Sequence, residues 1–142
     1  MRKPLWLSKD LIFAVHERLV AEFGGLAGLR DEGLLESALG KPENLFAYAS
    51  PTTFDLAASY AFGIVRNHPF LDGNKRTGFA AAAIFLETNG YRLTATEVEA
   101  TAATLALAEG SITEKGYAAW LKEHSTKAEA EKQQVKKRKK YS

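Results

Sequence analysis

The sequence predicts an all-α fold, a compact single-domain bundle of about six helices. Most of residues 8–124 fall into stretches whose apolar residues recur at helical spacing and that begin at a residue suited to cap a helix. Only Tyr91-Arg92-Leu93 looks extended, which is too little to form a sheet. The chain has 142 residues, of which 46% are hydrophobic, enough for one domain with one core.

The first two predicted helices lie before residue 50. Ser8 can cap the first, and Gly24 ends it. Its apolar face repeats every four residues, at Leu11, Val15, Leu19 and Phe23. Asp31 can cap a second, shorter helix, which Gly40 and Pro42 are expected to end.

The next two predicted helices are apolar nearly all round, so they should form the central buried pair of the bundle. One spans residues 54–66, and the other spans residues 75–87 with Asn74 as its N-cap. The loop that joins them is therefore held between two rigid, packed elements. Positions of this kind suit groups that must be placed accurately.

Capping-box patterns predict the last two helices. Thr96 with Glu99 begins a helix at 97–108, and Ser111 with Glu114 begins one at 112–123. His16 and His124 are expected at the surface, where no metal cluster can be built from them. Other side chains are expected to pack in the core or at its edge: Trp6, Phe70 and Trp120.

The chain ends in a basic segment. Residues 125–142 contain seven Lys or Arg and two Glu, whereas residues 1–124 contain twelve Lys or Arg and fifteen Asp or Glu. We therefore divide the chain into a helical domain at 1–124 and a flexible, solvated tail at 125–142. The run Lys136 to Lys140 leaves nucleic-acid binding open for the tail alone.

Two compositional features bear on the compartment. The chain contains no cysteine, which excludes disulfides and thiolate metal sites and suits a reducing cytoplasm. Its longest strongly apolar stretch, residues 79–86, is far shorter than the roughly 20 residues that span a bilayer. We therefore expect a cytoplasmic protein without a membrane helix.

The loop between the central helices carries the chemistry. It reads His68-Pro69-Phe70-Leu71-Asp72-Gly73-Asn74-Lys75-Arg76-Thr77-Gly78. His68 can accept a proton near neutral pH. Asp72 is a hard oxygen ligand suited to Mg²⁺, which commonly uses one or two carboxylates together with substrate phosphate. Gly73 permits a tight turn.

The same loop feeds the N-terminus of a helix, where free N–H groups and the positive end of the helix dipole favour an anion. Lys75 and Arg76 add two positive charges to this first turn. Cations are unfavourable there unless an anion compensates them. The loop therefore predicts a phosphate site built from Gly73, Asn74, Lys75 and Arg76.

The motif from His68 to Asn74, followed by Lys75 and Arg76, resembles the signature of the Fic/Doc family. Lys75 resembles the Doc (death-on-curing) branch in particular, and so do residues 29–39 and Asn89-Gly90-Tyr91. The resemblance spans roughly Leu5 to Leu121, and it agrees with a helical bundle that holds its motif loop between two buried helices.

The resemblance implies an enzyme that moves the terminal phosphoryl group of ATP, or of another nucleoside triphosphate, to a hydroxyl of translation elongation factor Tu. It implies His68 as the base, Asp72 as the Mg²⁺ ligand, and a flap around Arg30 that lines up the target chain. It also implies a toxin, whose partner is an antitoxin with a C-terminal segment that covers the site.

Two alternatives remain at this stage. One is AMP transfer, the commoner chemistry of the wider family. AMP-transferring members carry Gly where this chain has Lys75, and a second Arg where it has Phe79. Fic-type proteins that restrain themselves carry a helix in which Ser or Thr precedes a Glu by four residues, but Leu105 stands four residues before Glu109 here. The other alternative is a binding module without catalysis, or a nucleic-acid binder.

Overall fold

The structure is a computed structural model that describes residues 3–128, and its all-α architecture confirms the predicted fold class. The helices of the described range are α1 (Lys9–Phe23), α2 (Glu32–Tyr48), α3 (Thr53–Asn67), α4 (Asn74–Thr88), α5 (Glu97–Glu109) and α6 (Glu114–Glu123). Two short strands accompany them, β1 (Tyr91–Leu93) and β2 (Ser125–Lys127). No helix in this range is long and apolar enough to cross a membrane.

Helices α3 and α4 form the centre of the fold, as predicted. Ten of the fifteen residues of α3 are buried, which leaves little of this helix facing solvent. A reciprocal capping box between Thr52 and Asp55 fixes its start. Gly78 lets α4 approach closely, because a Cβ added there would lie 2.9 Å from Cγ2 of Val65 and 3.1 Å from the carbonyl oxygen of Ala61.

Helix α2 is longer than the sequence predicts, and the expectation that Gly40 and Pro42 end it is wrong. It begins at the Asp31 cap, as predicted, but continues through both residues to Tyr48. The added turns bury Pro42 and pack Leu45 and Phe46 against the core. Proline normally disrupts a helix interior, so this apolar burial offsets its lost hydrogen bond.

The capping box expected at Ser111 is also wrong. The N–H of Ser111 instead donates to the carbonyl of Ala106, so Ser111 belongs to the end of α5, which Gly110 closes in the left-handed region. Thr113 caps α6 by accepting from the N–H of Gly116. The Thr96 box at the start of α5 is confirmed.

The end of α6 is tied to the start of α5 by an exposed pair, His124 and Glu99, whose Nε2 and Oε2 atoms lie 3.2 Å apart. The carbonyl of Trp120, and next the Glu99 carboxylate, raise the pKa of His124 above its usual 6.5. Hydrogen bonds from the backbone and hydroxyl of Thr96, and next from His124, lower the pKa of Glu99 below its usual 4.5.

Tyr91–Leu93 does form a sheet, contrary to the sequence expectation. It pairs antiparallel with Ser125–Lys127, with Arg92 opposite Thr126. The partner strand comes from the first residues of the predicted tail, so that segment is part of the folded domain. Most of the tail, including the run Lys136 to Lys140, lies outside the described residues.

Candidate active site

The motif loop begins where α3 ends. His68 is the C-cap of α3, and its N–H donates to the carbonyl of Ile64. Its backbone lies in the left-handed region at φ 49° and ψ 56°, and no other non-glycine residue of the described range has a positive φ. Side chains other than glycine adopt this conformation at a cost, so the surrounding loop must hold it. The ring of His68 is exposed as a result.

Asn74 does not cap α4, which corrects the prediction made from its propensity. Gly73, at φ 77°, is the N-cap, and Asn74 is the first helical residue, only 3% exposed. Its side chain turns back into the loop. Oδ1 accepts from the N–H of Phe70 at 3.0 Å, and Nδ2 donates to the carbonyl of Phe70 at 3.0 Å. Asn74 therefore holds the loop closed by binding both the N–H and the carbonyl of the buried Phe70.

The same amide selects the tautomer of the neutral His68 ring. Because both bonds to Phe70 require the amide nitrogen of Asn74 to be the donor, that nitrogen also donates to Nδ1 of His68, 3.1 Å away. The neutral imidazole then carries its proton on Nε2 and its lone pair on Nδ1. A substrate hydroxyl can give its proton to Nδ1 only by displacing the Asn74 amide.

His16 also holds the loop, although it was expected at the surface. It is 2% exposed, and its ring stacks on Phe70 at 3.8 Å between centroids and 8° between planes. Its Nε2 donates to the carbonyl of Asp72 at 2.7 Å. The spacing of apolar residues along α1 gives no hint of this contact, because the loop that covers His16 lies 56 positions further along the chain. Phe70 is the buried anchor that the sequence predicts.

Arg30 lies between α1 and α2 as expected, and its guanidinium binds the loop directly. Nε donates to the carbonyl of His68 at 2.6 Å, and Nη2 donates to the carbonyl of Asn67 at 2.8 Å. A cation is favourable at this point, because the last carbonyls of α3 carry the negative end of its dipole. An antiparallel bridge between Leu29 and Phe70 joins the same segment to the motif.

Asp72 contacts the segment that follows α1. Its Oδ2 accepts from the N–H of Leu26 at 3.3 Å, and its Oδ1 accepts from the N–H of Gly73 at 2.9 Å. The side chain is exposed, so the carboxylate keeps lone pairs for a metal. Within residues 3–128, no three His, Asp or Glu side chains gather into a metal site. A cation at Asp72 would therefore take its other ligands from water and substrate, which is usual for Mg²⁺.

The motif divides between two sides of the N-terminus of α4. On one side, His68 and Lys75 line an open cleft of about 470 Å³, together with Val65, Arg66, Leu105, Ala108 and Glu109. On the other side, the guanidinium of Arg76 lies over the ring of Phe23, 4.4 Å from its centroid. Asp72 and Arg76 do not line the cleft. His68 and Asp72 therefore do not face one pocket in this structure.

The chain is similar to known proteins over much of its length. The sequence model of the Fic/DOC family matches residues 6–86. The chain is 34% identical over 88 residues to the Protein kinase doc of Escherichia phage P1, which covers 61% of this chain and 70% of that protein. It is 44% identical over 75 residues to Toxin Doc of Mycolicibacterium smegmatis, which covers 51% of this chain and 58% of that one.

Proposed function

The chain belongs to the Fic/Doc family, and from this premise we propose that it is a Doc-like toxin that transfers the terminal phosphoryl group of a nucleoside triphosphate to a protein hydroxyl. The relative named Protein kinase doc supports the kind of transfer, and the relative named Toxin Doc supports the biological role. The proposed acceptor is a hydroxyl of translation elongation factor Tu, whose modification would block translation.

The proposal rests on one observation: His68 lines the same cleft as Lys75, which stands at the N-terminus of α4. The first N–H groups of a helix have no partner within it, so they can bind phosphate oxygens. Lys75 adds a full positive charge beside them. The cleft therefore offers a base and an anion site next to each other, as phosphoryl transfer requires.

In the proposed reaction, the acceptor hydroxyl attacks the terminal phosphorus while the bond to the bridging oxygen breaks. The nucleoside diphosphate leaves with that electron pair. His68 takes the hydroxyl proton at Nδ1, once the hydroxyl has replaced the Asn74 amide there. The N-terminal groups of α4, with Lys75, balance the charge on the phosphate oxygens. Arg76 would join them only by leaving the ring of Phe23, over which it lies.

Mg²⁺ belongs to the proposal through Asp72, whose exposed carboxylate suits a hard cation. When bound, the ion would neutralise charge on neighbouring phosphates. Because Asp72 contacts the segment after α1 and not the cleft, the proposal requires the loop or that segment to adjust when substrate binds. Arg30 positions His68 through its carbonyl, and docking of the target chain near Arg30 remains part of the proposal.

The proposed partner is an antitoxin whose C-terminal segment folds over the site. Exposed apolar side chains surround the motif, which suits such a segment: Phe23 at 44%, Leu26 at 67% and Leu71 at 51%. A chain that leaves bacterial growth unaffected when it is expressed alone would contradict the toxin role.

Substitution of His68 tests the proposed base. We expect His68→Ala to lower transfer of label from γ-labelled ATP to elongation factor Tu by about 10²–10⁴-fold, the usual contribution of a positioned base. His124→Ala is the matched control, since His124 is also the C-cap of a helix but lies outside the cleft. Near-normal turnover in His68→Ala would show that His68 is not the base.

A further inference from the structure

The cleft beside His68 holds two cations that have no ion-pair partner in the described part of the chain. Arg66 and Lys75 both line it, and neither makes an ion pair or hydrogen bond there. Arg66 lies outside the motif, two residues before His68, so the motif chemistry did not include it. Two cations without ion-pair partners in one cleft indicate an anionic ligand.

Contacts of the neighbouring residues hold the backbone of Arg66 in place. It lies in the last turn of α3, where a cation is favoured by the helix dipole. Its neighbour Val65 is buried, and the side chain of Asn67 donates to the carbonyl of Leu34 at 2.9 Å, so the backbone on both sides is held. Its guanidinium lies 5.7 Å from the centroid of Phe62, with which it also lines a neighbouring pocket.

Lys75 approaches the same cleft from α4. It stands in the first turn of that helix, where a cation is unfavourable unless an anion is bound. The two charges therefore come from the two central helices, with His68 between them in the chain. A guanidinium offers two parallel N–H donors to phosphate oxygens, whereas an ammonium acts as a point charge, so the pair suits a chain of phosphates better than a single carboxylate.

We propose that Arg66 binds a phosphate of the nucleoside triphosphate together with Lys75, as a second cation of the transfer site. This inference rests on the proposed function, because it takes a nucleoside triphosphate as the ligand of the cleft. Glu109 lines the same cleft at the end of α5, where its carboxylate and the negative end of the dipole repel phosphate. The phosphates therefore bind to the wall formed by Arg66 and Lys75.

The test measures binding alone. The wild type and variants would be titrated calorimetrically with inorganic tripolyphosphate, ATP and adenosine at one fixed ionic strength. Arg66→Met should weaken binding of tripolyphosphate and ATP about tenfold or more, which corresponds to about 1.4 kcal/mol. Arg66→Lys should restore part of that loss, Glu109→Gln should tighten both, and adenosine binding should stay unchanged in all variants.

Arg18→Met is the matched control, because Arg18 is an exposed arginine of α1 that does not line the cleft. The inference is overturned if Arg66→Met binds tripolyphosphate as tightly as the wild type, if Arg18→Met weakens binding equally, or if the wild type does not bind tripolyphosphate. Label transfer reports separately on the proposed function. Binding that depends on Arg66, without any phosphoryl transfer, would refute the function and leave this inference standing.

Discussion

Removal of the Asn74 side chain should cost stability as well as activity, because this one amide closes the motif loop. Asn74→Ala removes three hydrogen bonds, two to the peptide groups of Phe70 and one to His68. Phe70 is 1% exposed, so water cannot readily replace its lost partner groups.

The size of the loss follows from burial. A buried peptide group left without a partner costs about 1–3 kcal/mol, so the two groups of Phe70 together should cost about 2–6 kcal/mol. That is a large part of the roughly 5–15 kcal/mol by which a domain is usually stable. His68 also loses the donor that fixes its tautomer, so transfer should fall together with stability.

Asn89 provides the matched control. It makes the same paired bonds to Leu5, with the N–H of Leu5 donating to Oδ1 at 2.8 Å and Nδ2 donating to its carbonyl at 3.1 Å. Leu5 is 61% exposed, so water can replace these two bonds. Nδ2 of Asn89 also donates to the carbonyl of Phe85, but that carbonyl keeps its bond from the N–H of residue 89, so Asn89→Ala should cost no more than about 1 kcal/mol. Urea unfolding followed by tryptophan fluorescence gives both values. Equal losses of unfolding free energy in the two variants would refute the claim that the buried Asn74 side chain holds the loop closed.

Three further predictions use other parts of the fold. His16→Phe keeps the ring stack but removes the bond to the carbonyl of Asp72, the proposed Mg²⁺ ligand. A titration should therefore show that half-maximal transfer needs more Mg²⁺, and an unchanged requirement would contradict this positioning role. Gly78→Ala should destabilise by about 1–3 kcal/mol through overpacking, whereas Gly40→Ala, with open space around it, should stabilise by about 0.5–1 kcal/mol. The pKa of His124 is raised and that of Glu99 is lowered, so their pair should stabilise the fold between about pH 4.5 and somewhat above 6.5. This contribution should be lost as pH falls through the lowered pKa of Glu99, or as it rises through the raised pKa of His124. If the unfolding midpoint of Glu99→Gln depended on pH in the same way as that of the wild type, this prediction would be wrong.

Local chemistry was enough to predict most helix starts and the central pair. Ser8, Asp31 and Thr96 cap helices as predicted, because each cap is a bond between residues three positions apart. The apolar surroundings of α3 and α4 likewise follow from composition within each helix. The motif loop could be located for the same reason, since its residues are consecutive.

The errors at Asn74 and Ser111 concern local backbone geometry, whereas the other errors involve contacts between distant segments. Local propensity ends α2 at Pro42, but packing of the following turns against the core continues it. Propensity also makes Asn74 a cap, whereas the positive φ of Gly73 starts the helix one residue earlier and turns the Asn74 side chain inward. The burial of His16 and the separation of Asp72 from the cleft depend on how α1 and its following segment meet the loop. Periodicity within one element contains no information about such contacts.

The central claim is that this cleft transfers a terminal phosphoryl group. The most direct test is to measure which phosphorus atom of ATP reaches the target protein. Elongation factor Tu would be incubated with the wild-type chain and Mg²⁺, in one sample with ATP labelled at the γ-phosphorus and in a second with ATP labelled at the α-phosphorus. We expect label on the target only in the first sample, and none in either sample with His68→Ala. Label from the α-phosphorus alone would show AMP transfer and contradict the proposed reaction.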